Sequence, residues 1–239
     1  MRRIVLLRVG IDTGSGGIHG PLFADHGFEL VPIPGDLHGS DDRTYGNTSG
    51  RFGRRFVEYF PRSRQSRMAT VRMHVDPEFD TFTYGDPNAP KRGLRRLEPG
   101  DIVAFHAGLE GWGGHTSEPA CHLIGYFEVS HAGMATEFSD SEINALFAHN
   151  AHVRDAVRFR EQRERLVLLK GGPGSRLLTK AVRISEMGAD SRGSLLKVLS
   201  KEMRAVFGEL GGKGSVQRSN PRWVDDAHAD EAAAFLRGL

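Results

Sequence analysis

Leu97-Glu-Pro-Gly-Asp101, then Ile102-Val-Ala-Phe105, then a loop rich in Gly, Trp and His, then His122-Leu-Ile-Gly-Tyr-Phe-Glu-Val129: this stretch decides the fold. Pro99 and Gly100 supply turn chemistry, and each apolar run has the length of a buried strand. The reading is two strands joined by a long loop, with His106, Trp112, His115, Glu118, Cys121 and His122 within it or beside it. A loop of roughly a dozen residues or more without its own periodicity is usually functional or disordered.

Upstream, Arg3 to Val9 reads as a buried strand that runs into Gly10-Ile-Asp-Thr-Gly-Ser-Gly-Gly-Ile-His-Gly-Pro21. Glycines there let the backbone adopt φ > 0 and approach a ligand closely. Arg8, Gly10, Thr13, Gly16 and Gly17 are therefore candidates for holding a phosphate. No Gly-Lys-Ser/Thr follows, and the spacing is not that of a dinucleotide fingerprint. Phe28 to Ile33 reads as a short strand, Gly39 to Gly53 as a polar loop, and Phe52, Phe56, Tyr59 and Phe60 as one face of a helix beginning near Gly50. Thr70 to Val75 is a strand that delivers His74-Val-Asp76; residues two apart on a strand share a side, so these two form a polar pair at a cavity or on the surface. Asp80 to Tyr84 adds another strand.

Downstream, Ser139-Asp-Ser-Glu142 is a capping box that opens a helix carrying Ile143, Leu146 and Phe147 on one side. A charged helix spans Val153 to Arg163, and Leu166 to Leu169 is a strand. Lys170-Gly-Gly-Pro-Gly-Ser-Arg176 then precedes a short helix over Leu177 to Val182. Free amides and the dipole at such a terminus favour an anion, which makes Lys170, Ser175 and Arg176 binding candidates. A longer helix is expected from Ser194, with Leu195, Leu199, Met203 and Val206 on one face, and an alanine-rich helix ends the chain.

With 239 residues, 38% hydrophobic and 26% charged, the composition is that of a soluble globular protein, with no run long enough to cross a bilayer. Arg8, Gly10 and Asp12 interrupt the N-terminal apolar run where a secretory segment would continue. Cys121 is the one cysteine, which rules out an intrachain disulfide or a multi-cysteine zinc site and fits a reducing cytoplasm. The net charge of +2 hides clustering. Arg51, Arg54, Arg55, Arg62, Arg64, Arg67 and Arg72 crowd one segment, and Lys91, Arg92, Arg95 and Arg96 another. Arginine forks match phosphate geometry, so a polyanionic partner is one reading and an ion-paired solvated surface the other.

Two resemblances follow from quoted residues. Pro-Gly-Asp101 leading into an apolar strand, with Leu123-Ile-Gly-Tyr-Phe-Glu-Val129 after the loop, resembles the paired strands of PUA-like barrels, including their EVE and ASCH branches. That resemblance implies a small, partly open barrel whose pocket holds RNA or a modified nucleobase. A wider set resembles the nucleotide modification associated domain family, third type. Its blocks are Arg8-Val-Gly-Ile-Asp-Thr13 with Gly16, Gly17 and Pro21, Val31-Pro-Ile-Pro34, His74-Val-Asp-Pro77, Gly100-Asp-Ile-Val-Ala-Phe105, His122-Leu-Ile-Gly125 and Ser175-Arg-Leu-Leu178, in the family's order. This implies a place in phage and bacterial DNA-modification systems, beside partner modification enzymes.

The expected fold is α+β, a central mixed, mainly antiparallel PUA-like β-barrel with flanking helices. One elaborated domain covers residues 1–239, its core at roughly 97–185 with strands from 1–35 and 70–84, and a helical extension over 190–239. As a binder of nucleic acid (DNA or RNA) or nucleotide, the chain would stack a base on Phe105, Trp112 or Tyr126 and read its edge with Asp101 or His122, although Asp101 is also placed to cap its own turn. As an enzyme, it would set Asp12, His74, Asp76 and His122 around one cleft as acid–base groups for transfer or hydrolysis on a nucleotide-linked group. The same residues are metal-ligand types, but no His-Glu-x-x-His spacing occurs and no metal is expected. Cys121 is a weak nucleophile candidate, because its neighbour His122 faces the other way on a strand. A third role is a non-catalytic subunit that brings a modifying enzyme to DNA. No cofactor is named by the sequence, and it leaves both catalysis and oligomeric state open.

Overall fold

The buried apolar runs of the sequence become the centre of one sheet. The computed structural model describes residues 2–35, 42–189, 192–211 and 215–239; the first residues of the Gly39 to Gly53 loop lie outside them. In chain order the strands are β1 (Ile4–Arg8), β2 (Gly20–Leu22), β3 (Ile33–Pro34), β4 (Met73–His74), β5 (Thr83–Asp86), β6 (Ile102–Gly111), β7 (Ala120–Met134), β8 (Val167–Gly171), β9 (Arg176–Arg183), β10 (Ser185–Ala189), β11 (Leu195–Leu199) and β12 (Arg222–Trp223). The α-helices are α1 (Arg62–Met68), α2 (Asp140–Phe147), α3 (Ala156–Gln162), α4 (Lys201–Phe207) and α5 (Ala229–Arg237).

The large sheet runs β12-β1-β6-β7-β8-β5, with β2 also paired to β6 and β9 to β7. It is mixed and mainly antiparallel: β1 and β2 lie parallel to β6, and the other pairs are antiparallel. No strand pairing among the described residues closes it, so the structure is a mixed α+β sheet and not a closed barrel.

The turn before β6 is fixed by Asp101, whose carboxylate accepts from the backbone of Glu98 at 2.8 Å and of Arg3 at 2.7 Å, tying the turn to β1. The backbone N–H of Ile102 also donates to Arg3 O, and the parallel β1–β6 register starts at Ile4 opposite Ile102. Ile4 to Leu7 are wholly buried, because β1 is flanked by β6 and β12 and packs in one core with Phe207, Ala232 and Leu236 of α4 and α5. A second cluster joins Ile11, Val31 and Met73 to Tyr45, Phe56, Tyr59 and Met68, and so anchors the arginine-rich segment to the glycine loop.

Several expected elements change. Residues 177–182 lie in β9, not in a helix, because edge pairing with β7 places Leu177 opposite Gly125 and Val182 opposite Leu123. The helix expected near Gly50 is a 3₁₀ turn at Phe56–Tyr59 followed by α1. The helix expected from Ser194 divides into β11, paired with β10, and α4, which Ser200 caps. The 190–239 region is therefore not purely helical, and its β12 completes the large sheet beside β1.

Candidate active-site cleft

β4 ends at His74, short of the strand end expected at Val75, and the chain continues to Asp76 outside it; both side chains nevertheless line one cleft. His152 arrives from the turn between α2 and α3. Its ring lies edge-on to that of His74 with centroids 4.7 Å apart, and its Nε2 is 3.6 Å from Asp76 Oδ2. One ligand-type atom from each of the three falls within 4.8 Å of the others.

The Asp76 side chain is only 2% exposed, and burial pushes its carboxyl well above the usual carboxylate range, with Asp86 and Glu78 adding to the effect. Oδ2 accepts from the Gly85 backbone at 2.9 Å, whereas Oδ1 has no hydrogen-bond partner among the described residues. The Asn150 amide lies beside Asp76 and opposes the rise, although its geometry falls short of a full hydrogen bond. Gln162 Oε1 sits 2.8 Å from His152 Nδ1; an amide oxygen can only accept, so Nδ1 carries a proton and donates to it, which turns Nε2 towards Asp76.

Facing this group across a cleft of about 660 Å³ is the exit of β1, with Arg8, Gly10, Asp12 and Ser15 in its wall. Arg8 pairs with Asp12 at 3.2 Å and also donates to Gln217 O. Lys91 lines the same cleft and donates to Ser219 O; burial lowers its ammonium to about 8, with Asp86 and Asp76 opposing that fall. The glycine loop does not offer its amides freely. Those of Gly14 and Ser15 donate to Asp12 Oδ1 at 2.8 and 2.7 Å, and that of Gly17 to Asp12 O. Arg64 of α1 donates to the carbonyls of Gly16 and Gly17, so this part of the loop is a docking point for α1. Gly10, at φ +74, lines the cleft where an added Cβ would stand 2.9 Å from Leu30 Cδ1. Thr13 borders a different cavity, beside Tyr59 and Trp112.

The remaining candidates lie elsewhere. His122 takes no part in the cleft; it sits on β7 opposite Ala107 and Arg183, and burial lowers it to about 4. Phe105 and Tyr126 are core residues, and a fully buried ring presents no face to an incoming base. Phe105 packs edge-on against Phe79 and Phe127, while the Arg176 guanidinium covers Tyr126 at 5.5 Å. Trp112 is held edge-on by Phe23 and Tyr59, with Arg54 over its ring at 5.1 Å.

Because 177–182 is strand, no helix terminus stands behind Lys170, Ser175 and Arg176. Lys170 donates to Thr81 O, and Ser175 accepts from the Glu128 backbone. Cys121 is buried with its thiol pushed up by that burial, the opposite of an activated nucleophile. Of the proposed residues, Arg8, Gly10, Asp12, His74 and Asp76 are brought together. His152, Gln162 and Lys91 are the members that sequence reasoning missed; the one signal for His152 was its place in His149-Asn-Ala-His152.

Beside the cleft, and sharing Gly10 and Asp76 with it, lies a cavity of about 250 Å³ with Leu30, Phe56 and Phe79 in its walls and the carboxyl of Glu29. Burial raises the Glu29 carboxyl above its ordinary range against the hydrogen bonds it receives.

A family model described as nucleotide modification associated domain 3 matches residues 3–236. No curated protein and no solved structure matches the chain.

Proposed function

From the premise that the chain belongs to the nucleotide modification associated domain 3 family, we propose that it takes a nucleotide, free or within a nucleic-acid strand, into this cleft and presents the reacting group to His74, Asp76 and His152. The single observation that carries the reading is the meeting of Arg8 and Asp12 with His74 and Asp76 on one cleft. Passive capture of a base needs no buried carboxyl beside two imidazoles, whereas transfer or hydrolysis on a nucleotide-linked group uses groups of this kind.

The adjoining cavity supports a division of the ligand. Its apolar and aromatic walls, Leu30, Phe56 and Phe79, suit a nucleobase, and of the four carboxyl residues that line it, Glu29, Asp76, Glu78 and Asp80, we assign Glu29 to accept from an exocyclic amine or ring N–H. The sugar and phosphate would then lie in the larger cleft, near Arg8 and Lys91. Base stacking on Phe105 or Tyr126 has no part in this reading, since neither ring is accessible.

The test is calorimetric titration of nucleoside monophosphates, triphosphates and short oligonucleotides, modified and unmodified, into the full chain. Binding that weakens at least tenfold in Arg8→Gln and in Glu29→Gln, with the fold intact by circular dichroism, supports the reading. Absence of binding by any of these at millimolar concentration overturns it.

A further inference from the structure

Asp76 is hard to account for as a plain polar residue. An ionised carboxylate so deeply buried needs a counter-charge or a full set of donors. The Gly85 amide supplies one donor to Oδ2, and Oδ1 receives none among the described residues. The nearby cations are committed elsewhere: Lys91 donates to Ser219 O, and Arg8 is paired with Asp12. Besides the Asn150 amide, what faces Asp76 is imidazole. His152 Nδ1 is held by the Gln162 side-chain oxygen, which turns Nε2 towards the carboxylate at 3.6 Å, and His74 completes the group within 4.8 Å.

We propose that His74, Asp76 and His152 are the protein ligands of a single divalent transition-metal ion, with its remaining coordination positions open to the cleft. Two imidazoles and one carboxylate are the donor set of mononuclear sites that keep positions free for water or substrate. The separation of His152 Nε2 from Asp76 Oδ2 is close to the edge of a tetrahedron built on metal–ligand bonds of roughly 2.1 Å, which is about 3.4 Å. Gln162 plays the part of the outer partner that fixes ring orientation and tautomer of a ligating histidine. The ion supplies the counter-charge that the buried Asp76 carboxylate otherwise lacks.

It also resolves the charge of the cleft as a whole. Three carboxyls, Asp12, Asp76 and Asp86, line it against two cations, Arg8 and Lys91, so an anionic nucleotide meets no surplus positive charge there. A divalent ion changes that balance and offers phosphate or an attacking water a direct ligand position. The choice of nucleotide as outer ligand rests on the function proposed above; the metal site itself rests on the three side chains and Gln162.

The test uses the full chain, stripped with chelator and desalted, and titrated separately with zinc, manganese(II) and, under anaerobic conditions, iron(II). One equivalent of at least one ion per chain is expected, with a rise in Tm and with cobalt(II) giving d–d absorption of a four- or five-coordinate site. His152→Ala and Asp76→Asn are expected to abolish stoichiometric binding. Gln162→Ala should weaken it 10- to 100-fold, and His122→Ala should leave it unchanged. If Asp76→Asn does not fold, the Gln162→Ala titration decides. Failure of the wild type to retain any of the ions, or retention as tight as wild type in His152→Ala or in Gln162→Ala, overturns the site. Nucleotide binding is measured in parallel with chelator and with metal. Nucleotide binding without any metal binding removes only this inference, and metal binding without nucleotide binding removes only the functional reading.

Discussion

His106 is the imidazole whose surroundings most oppose a proton. It lies on β6 opposite Arg8, wholly buried with neither ring nitrogen hydrogen-bonded among the described residues, and burial together with Arg8, Lys91 and Arg222 lowers it to about 3. His122 is lowered to about 4. In both the folded-state value lies below the ordinary 6.5, so the unfolded chain binds the proton more readily and stability is full above pH 6.5 and is lost as pH falls towards the folded values. Between pH 7 and 5 each costs on the order of 2 kcal/mol at 1.36 kcal/mol per unit. The raised carboxyls of Asp76 and Glu29 act the other way, since the folded state takes up their protons first as pH falls. Replacing His106 with Leu removes its share, and because no hydrogen bond is lost the substitution should cost under about 1 kcal/mol at pH 7 or stabilise. Urea midpoints at pH 7 and 5 check both points: an undiminished acid loss in His106→Leu would show that the proton goes elsewhere.

At the scale of elements, β7 depends on a residue with no side chain. An added Cβ on Gly125 would lie 2.6 Å from Arg176 O and 2.6 Å from the Phe79 ring, where β9 pairs across an irregular register. Gly125→Ala should therefore destabilise by about 1–3 kcal/mol through overpacking, read as a lower urea midpoint at unchanged slope. α2 is bounded by Ser139, which accepts from the Glu142 backbone while Glu142 accepts from that of Ser139 at 2.7 Å. Ser139→Ala should cost about 1 kcal/mol, and a change under about 0.3 would mean that the box adds nothing to the native helix. These elements were legible in sequence because their signals are local: a buried run for β1, a Gly-Asp turn for β6, a glycine for β7, a capping box for α2. β9 was not, because its pairing with β7 overrides a local pattern that reads as helix. The site divides the same way. His74 and Asp76 declare themselves by their spacing, and Arg8 and Asp12 by the loop. His152, Gln162 and Lys91 come from distant segments whose approach only the folded chain determines.

For the molecule as a whole, the arginine-rich segment decides between a free nucleotide and a strand. Arg54, Arg55, Arg62 and Arg67 are exposed, and α1, on which the last two sit, is fastened to the glycine loop through Arg64. This basic surface therefore borders the loop whose other side lines the cleft. Glu58 lies 3.5 Å from Arg54 and 3.7 Å from Arg55, but such exposed pairs are weak and exchange readily for phosphate. Under the function proposed above, the partner this basic surface would meet is an anionic strand. Each phosphate neutralised on a single strand adds roughly 0.7 to the slope of log affinity against log salt, so changing these four arginines to Gln should lower that slope by up to about 3. Mononucleotide affinity should stay the same, because none of the four lines the cleft. A reduced oligonucleotide slope with unaltered mononucleotide binding assigns the segment to the strand and the cleft to one nucleotide of it. Equal oligonucleotide slopes in variant and wild type would leave the arginines as a solvated surface and the free nucleotide as the ligand.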